Sequence, residues 1–438
     1  MASYDQDTTS LGVEAARRAV AGLPAPDAVV FATTAPAYAD KTNATAIHAA
    51  LGLDRASAAF DMVGSVRSAM GALRFALDGC HAGRTTLAVL SDIRTGLPGG
   101  NDEAGGGDAA AALLFGDEGV IADVVATSSA TAEFLDRWRT PGESWSSVWE
   151  ERFGETAYLP LVEAAVTDAL KEAGLAVGDI DRLVVAGLHE RAARGVARVV
   201  GVPKERASDE LGAVLGNTGC AQPGVLLADA LDRAEDGEVI MLVTLADGVE
   251  VVVFRATEKL VAFREGRPTV REQAAASMPV DYAAFLTWRG MLRREPPRRP
   301  DPERPAGPPS YRTEAWKFGF VASRCLECGT RHLPPDRVCL TCGAVDQMTP
   351  ERLADVPATI ATFTVDRLAF SLSPPVVVAV VDFDGGGRFQ CEMADVDREQ
   401  VAIGDRVEMT FRRFYTAGGV HNYFWKARPA RATSGGQD

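Results

Sequence analysis

The stretch RCLECGTRHLPPDRVCLTCG, residues 324–343, decides how the last part of the chain folds. Cys325 and Cys328 form one C-x-x-C pair, Cys339 and Cys342 a second, and ten residues separate them. Each pair can aim two sulfurs at a single ion, and two such knuckles close a tetrahedron of thiolates, the arrangement of a structural zinc site. Gly329 and Gly343 follow the two pairs directly, where the backbone has to turn tightly around the sulfurs. A redox pair needs only two cysteines and leaves the second, symmetric pair unexplained. Four sulfurs leave no open position for water, so the expected role of zinc is structural, and His332 between the knuckles is not needed as a ligand.

Beyond Cys342 the hydrophobic pattern changes to period two in short runs. Thr359–Val365, Val376–Phe383, Arg388–Met393, Val407–Phe414 and Tyr423–Ala427 read as strands, with turns at Gly385-Gly386-Gly387 and Gly404-Asp405. Five short strands after a ribbon predict a small all-β barrel of the OB type over 351–432. On the other side, Arg293–Pro309 (RREPPRRPDPERPAGPP) reads as a semi-rigid linker, because its prolines hold the chain extended. Its arginines have two readings, a solvated spacer or a contact for a CoA phosphate. Tyr282–Leu292 before it has the pattern of a short amphipathic helix, and Tyr311–Phe320 leads into the ribbon.

Ribbon and barrel together, roughly 315–430, resemble the acyl-CoA-associated zinc-ribbon/OB-fold family. That resemblance implies a role beside a thiolase-superfamily protein, in assembly and in enclosing the CoA arm. The same architecture also suits single-stranded nucleic acid, and Phe411, Phe414, Tyr415, Tyr423, Phe424 and Trp425 supply aromatics. The formal charge of −15 opposes that use, and no nucleic-acid partner is expected.

Residues 11–260 alternate between helical and strand patterns. Leu11–Leu23, Ala44–Leu51, Arg67–Leu77, Leu159–Ala173, Arg191–Val200 and Gln222–Ala234 read as helices. Asp27–Thr33, Ala58–Val63, Thr85–Leu90, Ala109–Phe115 and Arg182–Gly187 read as strands, and Val239–Phe254 as two strands turning at Asp247-Gly248. The alternation predicts a layered α/β domain over 1–260 in two similar halves, near 1–130 and 131–260. Residues 261–314 are the helix and linker, and 315–350 the ribbon.

This larger part resembles the thiolase superfamily, closest to 3-hydroxy-3-methylglutaryl-CoA synthase and ketoacyl synthase III. The resemblance rests on Gly107-Asp108-Ala109-Ala110, on Leu188-His189-Glu190 after a strand, on Leu215-Gly216-Asn217-Thr218-Gly219, and on the Asp247-Gly248 turn. It implies a five-layer αβαβα domain. It also implies that His189 and Asn217 donate hydrogen bonds to a thioester oxygen as it becomes an enolate. The superfamily's acyl-accepting cysteine sits at a helix start, where the dipole favours thiolate. Aligned on Phe60-Asp61, that position holds Val66, flanked by Ser65 and Ser68, and Cys80, Cys220 and Cys391 do not fit it. The synthase's proton-moving glutamate falls on Thr34, so ordinary synthase activity is not expected. The fold's first strand should precede residues 4–23, and nothing in these residues supplies it; a bare sheet edge would remain unless something covers it.

The bulk composition agrees with a globular protein. With 438 residues, 47% hydrophobic and 24% charged, two or three domains are expected. No apolar run reaches about 18 residues, so no membrane partner is expected. The start Met1–Asp5 is not that of a secretory signal. Seven cysteines, four of them clustered, suit a reducing cytoplasm.

Three functions remain open. One is an acyl-CoA enzyme that polarises a thioester for carbon–carbon bond cleavage or formation without covalent acylation. Another is a non-catalytic subunit assisting a separate thiolase or condensing enzyme. The third is an acyltransferase whose nucleophile is Ser65 or Cys220. The superfamily resemblance implies a homodimer or larger assembly. Tyr38, Tyr158 and Asp247 read as surface or core groups near pocket edges, and His421 as a loop residue.

Overall fold

The structure is a computed structural model that describes residues 1–208, 211–298 and 300–430. Its centre is the strand β1 (Ala28–Thr33), an unbroken apolar run with every residue buried. A strand of this composition has to be covered on both faces. Alternation sends Val29 and Phe31 to one core and Val30 and Ala32 to another. β2 (Ala58–Val63) and β3 (Thr86–Ile93) flank β1 in parallel, and β4 (Asp108–Phe115) adds antiparallel to β3. The sheet order is β2-β1-β3-β4.

The second sheet repeats this plan. β6 (Arg182–Gly187) runs parallel to β7 (Val239–Leu245), which pairs antiparallel with β8 (Gly248–Ala256) through a turn at Asp247 (φ +46°) and Gly248. An Asp-Gly pair is suited to such a turn because both positions require positive φ. Outside β8 lies β5 (Ala122–Thr131), giving the order β5-β8-β7-β6. Its polar composition, ADVVATSSAT, hides it from a search for apolar runs. The first sheet has no counterpart to β5: among the described residues no strand lies beyond β4.

Helices α1 (Thr8–Ala19) and α2 (Ala44–Leu51) cover the outer face of the first sheet, and their buried residues share one core with Val29, Phe31, Leu87 and Val89. α3 (Ser68–His81) and a later helix, Gln222–Arg233, lie between the two sheets. α4 (Glu151–Ala173) and α5 (Glu190–Val200) cover the outer face of the second, and Gln222–Arg233 is α6. The layers are therefore αβαβα, as expected. Two helices start earlier than their apolar pattern suggests. α1 begins at Thr8 because Asp7 and Ser10 form a reciprocal capping box. α4 begins eight residues ahead of the expected Leu159, its first two turns, ERFGETAY, lacking the apolar run that marks the rest.

The C-terminal part has two sheets. β9 (Val321–Cys325), β10 (Arg331–His332) and β11 (Met348–Arg352) build the ribbon. β12 (Ala358–Asp366), β13 (Val376–Phe383), β14 (Arg388–Glu392), β15 (Arg406–Ala417) and β16 (Val420–Pro429) form a five-stranded antiparallel sheet. It closes where Ala394 N–H donates to Ala427 O. Residues 431–432 of the expected barrel lie outside the described residues. The Arg293–Pro309 stretch is not wholly extended, since a helical turn runs from Gly307 to Arg312. The helix before it ends at Trp288 rather than Leu292, and Trp288 Nε1 donates to Leu372 O on the barrel. His421 is half-buried in β16 rather than in a loop, its Nδ1 against Thr416 Oγ1.

The barrel packs directly on α1. Trp425, Phe411 and Phe320 belong to the same core as Val13 and Phe31. A buried ionic seam lines this contact. Glu14 pairs with Arg17 (3.0 Å) and Arg428 (2.9 Å) and accepts from Phe411 N–H. Asp5 pairs with Arg412 (3.2 Å) and Lys426 (3.0 Å). Burial raises the pKa of Glu14, but Arg428 and Arg17 outweigh it and hold the carboxyl down to about 2. The aromatics that suggest base stacking are largely spent here: Phe411, Tyr423 and Trp425 are buried, and Phe414, Tyr415 and Phe424 half-buried.

Candidate functional site

In the ribbon the four sulfurs of Cys325, Cys328, Cys339 and Cys342 all lie within 4.8 Å of one another. Cys325 and Cys342 are 3.7 Å apart, and Cys328 and Cys339 3.4 Å. Tetrahedral bonds of about 2.3 Å to a zinc ion place sulfurs about 3.8 Å apart, so the four fit one metal ion. Gly329 (φ +77°) and Gly343 (φ +75°) make the turns. His332 is buried and is not one of the four clustered ligands.

The other site lies between the two halves of the layered domain. His189 leaves β6 and caps α5: its Nδ1 accepts from Ala192 N–H at 3.0 Å. An accepting Nδ1 fixes the neutral tautomer with the proton on Nε2. That Nε2 is buried and has no partner among the described residues. Gly154, near the start of α4, covers it so closely that a Cβ there would lie 2.3 Å from Nε2. Asn217 is oriented from both sides: its Nδ2 donates to Gly187 O (2.7 Å) and its Oδ1 accepts from Gly219 N–H (2.9 Å). Both residues are thus tied to the end of β6, one by sequence and one by hydrogen bond. Asn217 also anchors the Gly105–Gly107 loop, where Gly107 N–H donates to Asn217 O and a Cβ on Gly107 would collide with Leu215 O.

Val66 is buried in the turn ahead of α3, and Ser65 beside it is exposed. Arg67 crosses to the β7–β8 turn, donating to Asp247 O, Ser129 Oγ, Thr131 Oγ1 and Glu250 Oε1 (3.0 Å). Cys220 is fully buried, and burial with Asp92 nearby pushes its thiol well up, the opposite of an activated nucleophile. Cys80 ends α3 and Cys391 lies in β14. Tyr158 is buried against the His189 ring (5.9 Å between centroids), and its hydroxyl accepts from Asp247 N–H (3.3 Å). Tyr38 instead reaches the barrel, its hydroxyl accepting from His421 N–H (2.8 Å).

A cluster not anticipated from sequence lies at the ends of β1 and β3. Thr34 Oγ1 donates to the buried Asp92 carboxylate (2.8 Å) and accepts from Arg94 Nη1 (3.2 Å). Arg139 donates to Thr34 O, and Arg137 grips both oxygens of Asp102 (2.7 and 3.0 Å). The available signal is Ser91-Asp92-Ile93-Arg94, an acid and a base directly ending a buried apolar strand.

Comparison with known proteins agrees with both parts of this architecture. Residues 170–254 match the family described as 3-oxoacyl-[acyl-carrier-protein (ACP)] synthase III C terminal, and residues 351–412 the family described as ChsH2, C-terminal OB-fold domain. The hydroxymethylglutaryl-CoA synthase of Pyrobaculum aerophilum is 29% identical over 301 residues, covering 66% of this chain and 86% of that protein. That of Methanosphaera stadtmanae is 27% identical over 298 residues, covering 66% and 86%. Among solved structures, FabH from Pseudomonas aeruginosa shares the fold with a TM-score of 0.53 at 22% identity, over 58% of this chain and 84% of its own. A histidine-to-asparagine variant of OleA from Xanthomonas campestris does so with 0.51 at 16%, over 57% and 83%. Among the described residues no helix is long and apolar enough to cross a membrane.

Proposed function

Because this chain joins a thiolase-superfamily domain to a C-terminal OB-fold domain, we propose that it handles an acyl-CoA thioester without covalent acylation. In this reading His189 polarises the thioester carbonyl for aldol or retro-aldol chemistry at the adjacent carbon. The observation that carries it is the buried, unpartnered Nε2–H of a neutral His189. A donor so placed costs stability unless something accepts from it, and a carbonyl gaining negative charge is the best acceptor available. Asn217 keeps a second amide N–H for the same oxygen, while its other contacts hold the side chain still. Val66 at the α3 start and the raised thiol of Cys220 support chemistry without an acyl-enzyme. The ribbon ion is zinc in this reading, held by four thiolates and purely structural.

A second reading, an assisting subunit of a separate thiolase or condensing enzyme, draws support from Gly154. With that residue seated over Nε2, substrate reaches His189 only if the first turn of α4 moves, a shift that a partner can drive. A homodimer is supported by β2, an edge strand that leaves Phe60 and Val63 exposed.

The test is intact-mass analysis after incubation with short-chain acyl-CoAs, alone and with a candidate thiolase, together with α-proton exchange in deuterium oxide. Exchange that needs His189, with no adduct, supports the proposal. A stable adduct on a serine or cysteine of this chain refutes it. An adduct only on the partner, without exchange by this chain, favours the assisting subunit.

A further inference from the structure

The donor of His189 is covered by the one part of α4 that is poorly anchored. Gly154 lies so close that a Cβ on it would sit 2.3 Å from Nε2. Residues 152–159 contribute little to the core: of these eight, only Gly154 and Tyr158 are buried. Past Pro160 the same helix is fixed, with Val162, Ala165, Val166 and Ala169 almost wholly buried in the core on the second sheet. The chain leading in offers no anchor either, since residues 141–150 are exposed at every position but one.

The helix is weakest between its two parts. Pro160 has no N–H to give to Thr156 O, and its ring crowds that carbonyl. Thr156 in turn donates its hydroxyl back to Arg152 O (3.0 Å), a bond that bends helices. Few contacts hold the start of α4 down. Glu155 pairs with Arg191 on α5, Phe134 meets the rings of Phe153 and Tyr158 (6.2 and 4.9 Å between centroids), and Tyr158 accepts from Asp247 N–H. Against them, the closed position leaves Nε2–H without an acceptor among the described residues. Opening relieves that cost by admitting water, so the two positions lie close in energy.

We propose that residues 152–159 are a lid that hinges at Pro160, is latched by Glu155 to Arg191, and opens to admit the ligand of His189. The lid regulates the site of the thioester reading given above and rests on that reading for the identity of the ligand. Its movement belongs to this chain and requires no partner.

The experiment places a thiol under the lid. His189→Cys in the full chain is pulsed with iodoacetamide, and the labelled peptide is followed by mass spectrometry apart from the ribbon cysteines. A lid open for about 0.1–10% of the time slows labelling about tenfold to a thousandfold below the rate in the urea-unfolded chain. Pro160→Ala restores the helical bond and should slow labelling further by at least about tenfold. Arg191→Gln releases the latch and should speed it about two- to fivefold. In the chain that keeps His189, stopped-flow tryptophan fluorescence follows butyryl-CoA binding. Its rate should level off at high ligand, where opening limits it, and Pro160→Ala should lower the plateau.

Labelling as fast as in the unfolded chain, or only on global unfolding, overturns the lid. So does a rate that Pro160→Ala leaves unchanged, because nothing then hinges there. Should loss of the α5 cap unfold His189→Cys, the plateau decides: a binding rate that rises without limit, equally in Pro160→Ala, overturns the proposal. If labelling shows the lid but no CoA ester binds, the thioester reading fails and the lid stands. If an ester binds with its carbonyl polarised by His189 while labelling shows no lid, the lid falls and the reading stands.

Discussion

Replacing Glu14 by glutamine isolates the contact that joins α1 to the barrel. The carboxylate lies between Arg17 and Arg428, its side chain 12% exposed, and it also accepts from the Phe411 backbone. Its pKa is held to about 2 against an ordinary 4.5. The difference corresponds to about 3 kcal/mol of folding stability at pH 7. Because the folded value is depressed, that stability is present above pH 4.5 and is lost as pH falls towards 2. Glutamine keeps the shape but removes the charge shared by the two guanidinium groups, each of which retains one other carboxylate, Arg17 that of Asp355 (2.9 Å) and Arg428 that of Glu408 (2.7 Å).

Urea unfolding at pH 7 should therefore show Glu14→Gln about 3 kcal/mol less stable than the wild type. At pH 3.5 the gap should shrink to about 2 kcal/mol. Glu163→Gln on the exposed face of α4 should stay within about 0.5 kcal/mol. A gap at pH 7 no larger than this control, or one that widens on acidification, would refute the claim that the seam is a buried ion pair.

Further expectations concern the ribbon, the histidine and the buried thiols. Purified protein should contain one zinc per chain, and Cys339→Ser should lose it along with the β9–β11 sheet, read by metal analysis and proteolysis. Gly154→Ala should displace the His189 ring, since the added Cβ falls 2.3 Å from Nε2. Exchange of the substrate α-proton should then drop by at least about tenfold, the scale of one misplaced oxyanion donor. Iodoacetamide at pH 8 should leave Cys220 and Cys391 untouched until the chain unfolds, because burial raises both thiols, that of Cys391 to about 12. Rapid labelling of native Cys220 would return it to consideration as a nucleophile.

What the sequence discloses follows the physics of its signals. Continuous apolar runs such as Ala28–Thr33 announce strands buried on both faces, and the knuckle spacing announces a metal centre, because both depend on residues close together in the chain. β5 gives no such signal, because an edge strand needs only one buried face and its serines and threonines fill the other. The start of α1 lies ahead of its apolar pattern because it is set by the Asp7–Ser10 capping box, not by hydrophobicity. At the candidate site His189 and Asn217 are legible as motifs. The orientation of Asn217 by Gly187 and the cover that Gly154 gives His189 come from residues distant in the chain. Arg94 can be read only as a charged residue just after a strand; its neighbours Arg137 and Arg139 come to it from beyond β5.

The central claim, that His189 Nε2–H polarises a thioester carbonyl, is tested most directly by difference infrared spectroscopy on a bound acyl-CoA carrying a heavy carbon isotope at the carbonyl. A carbonyl stretch lowered on binding to the wild type, and returned to its solution value in a His189→Ala variant that still binds the ester, is the expected result. A stretch unchanged by binding, or lowered equally without His189, would contradict the account.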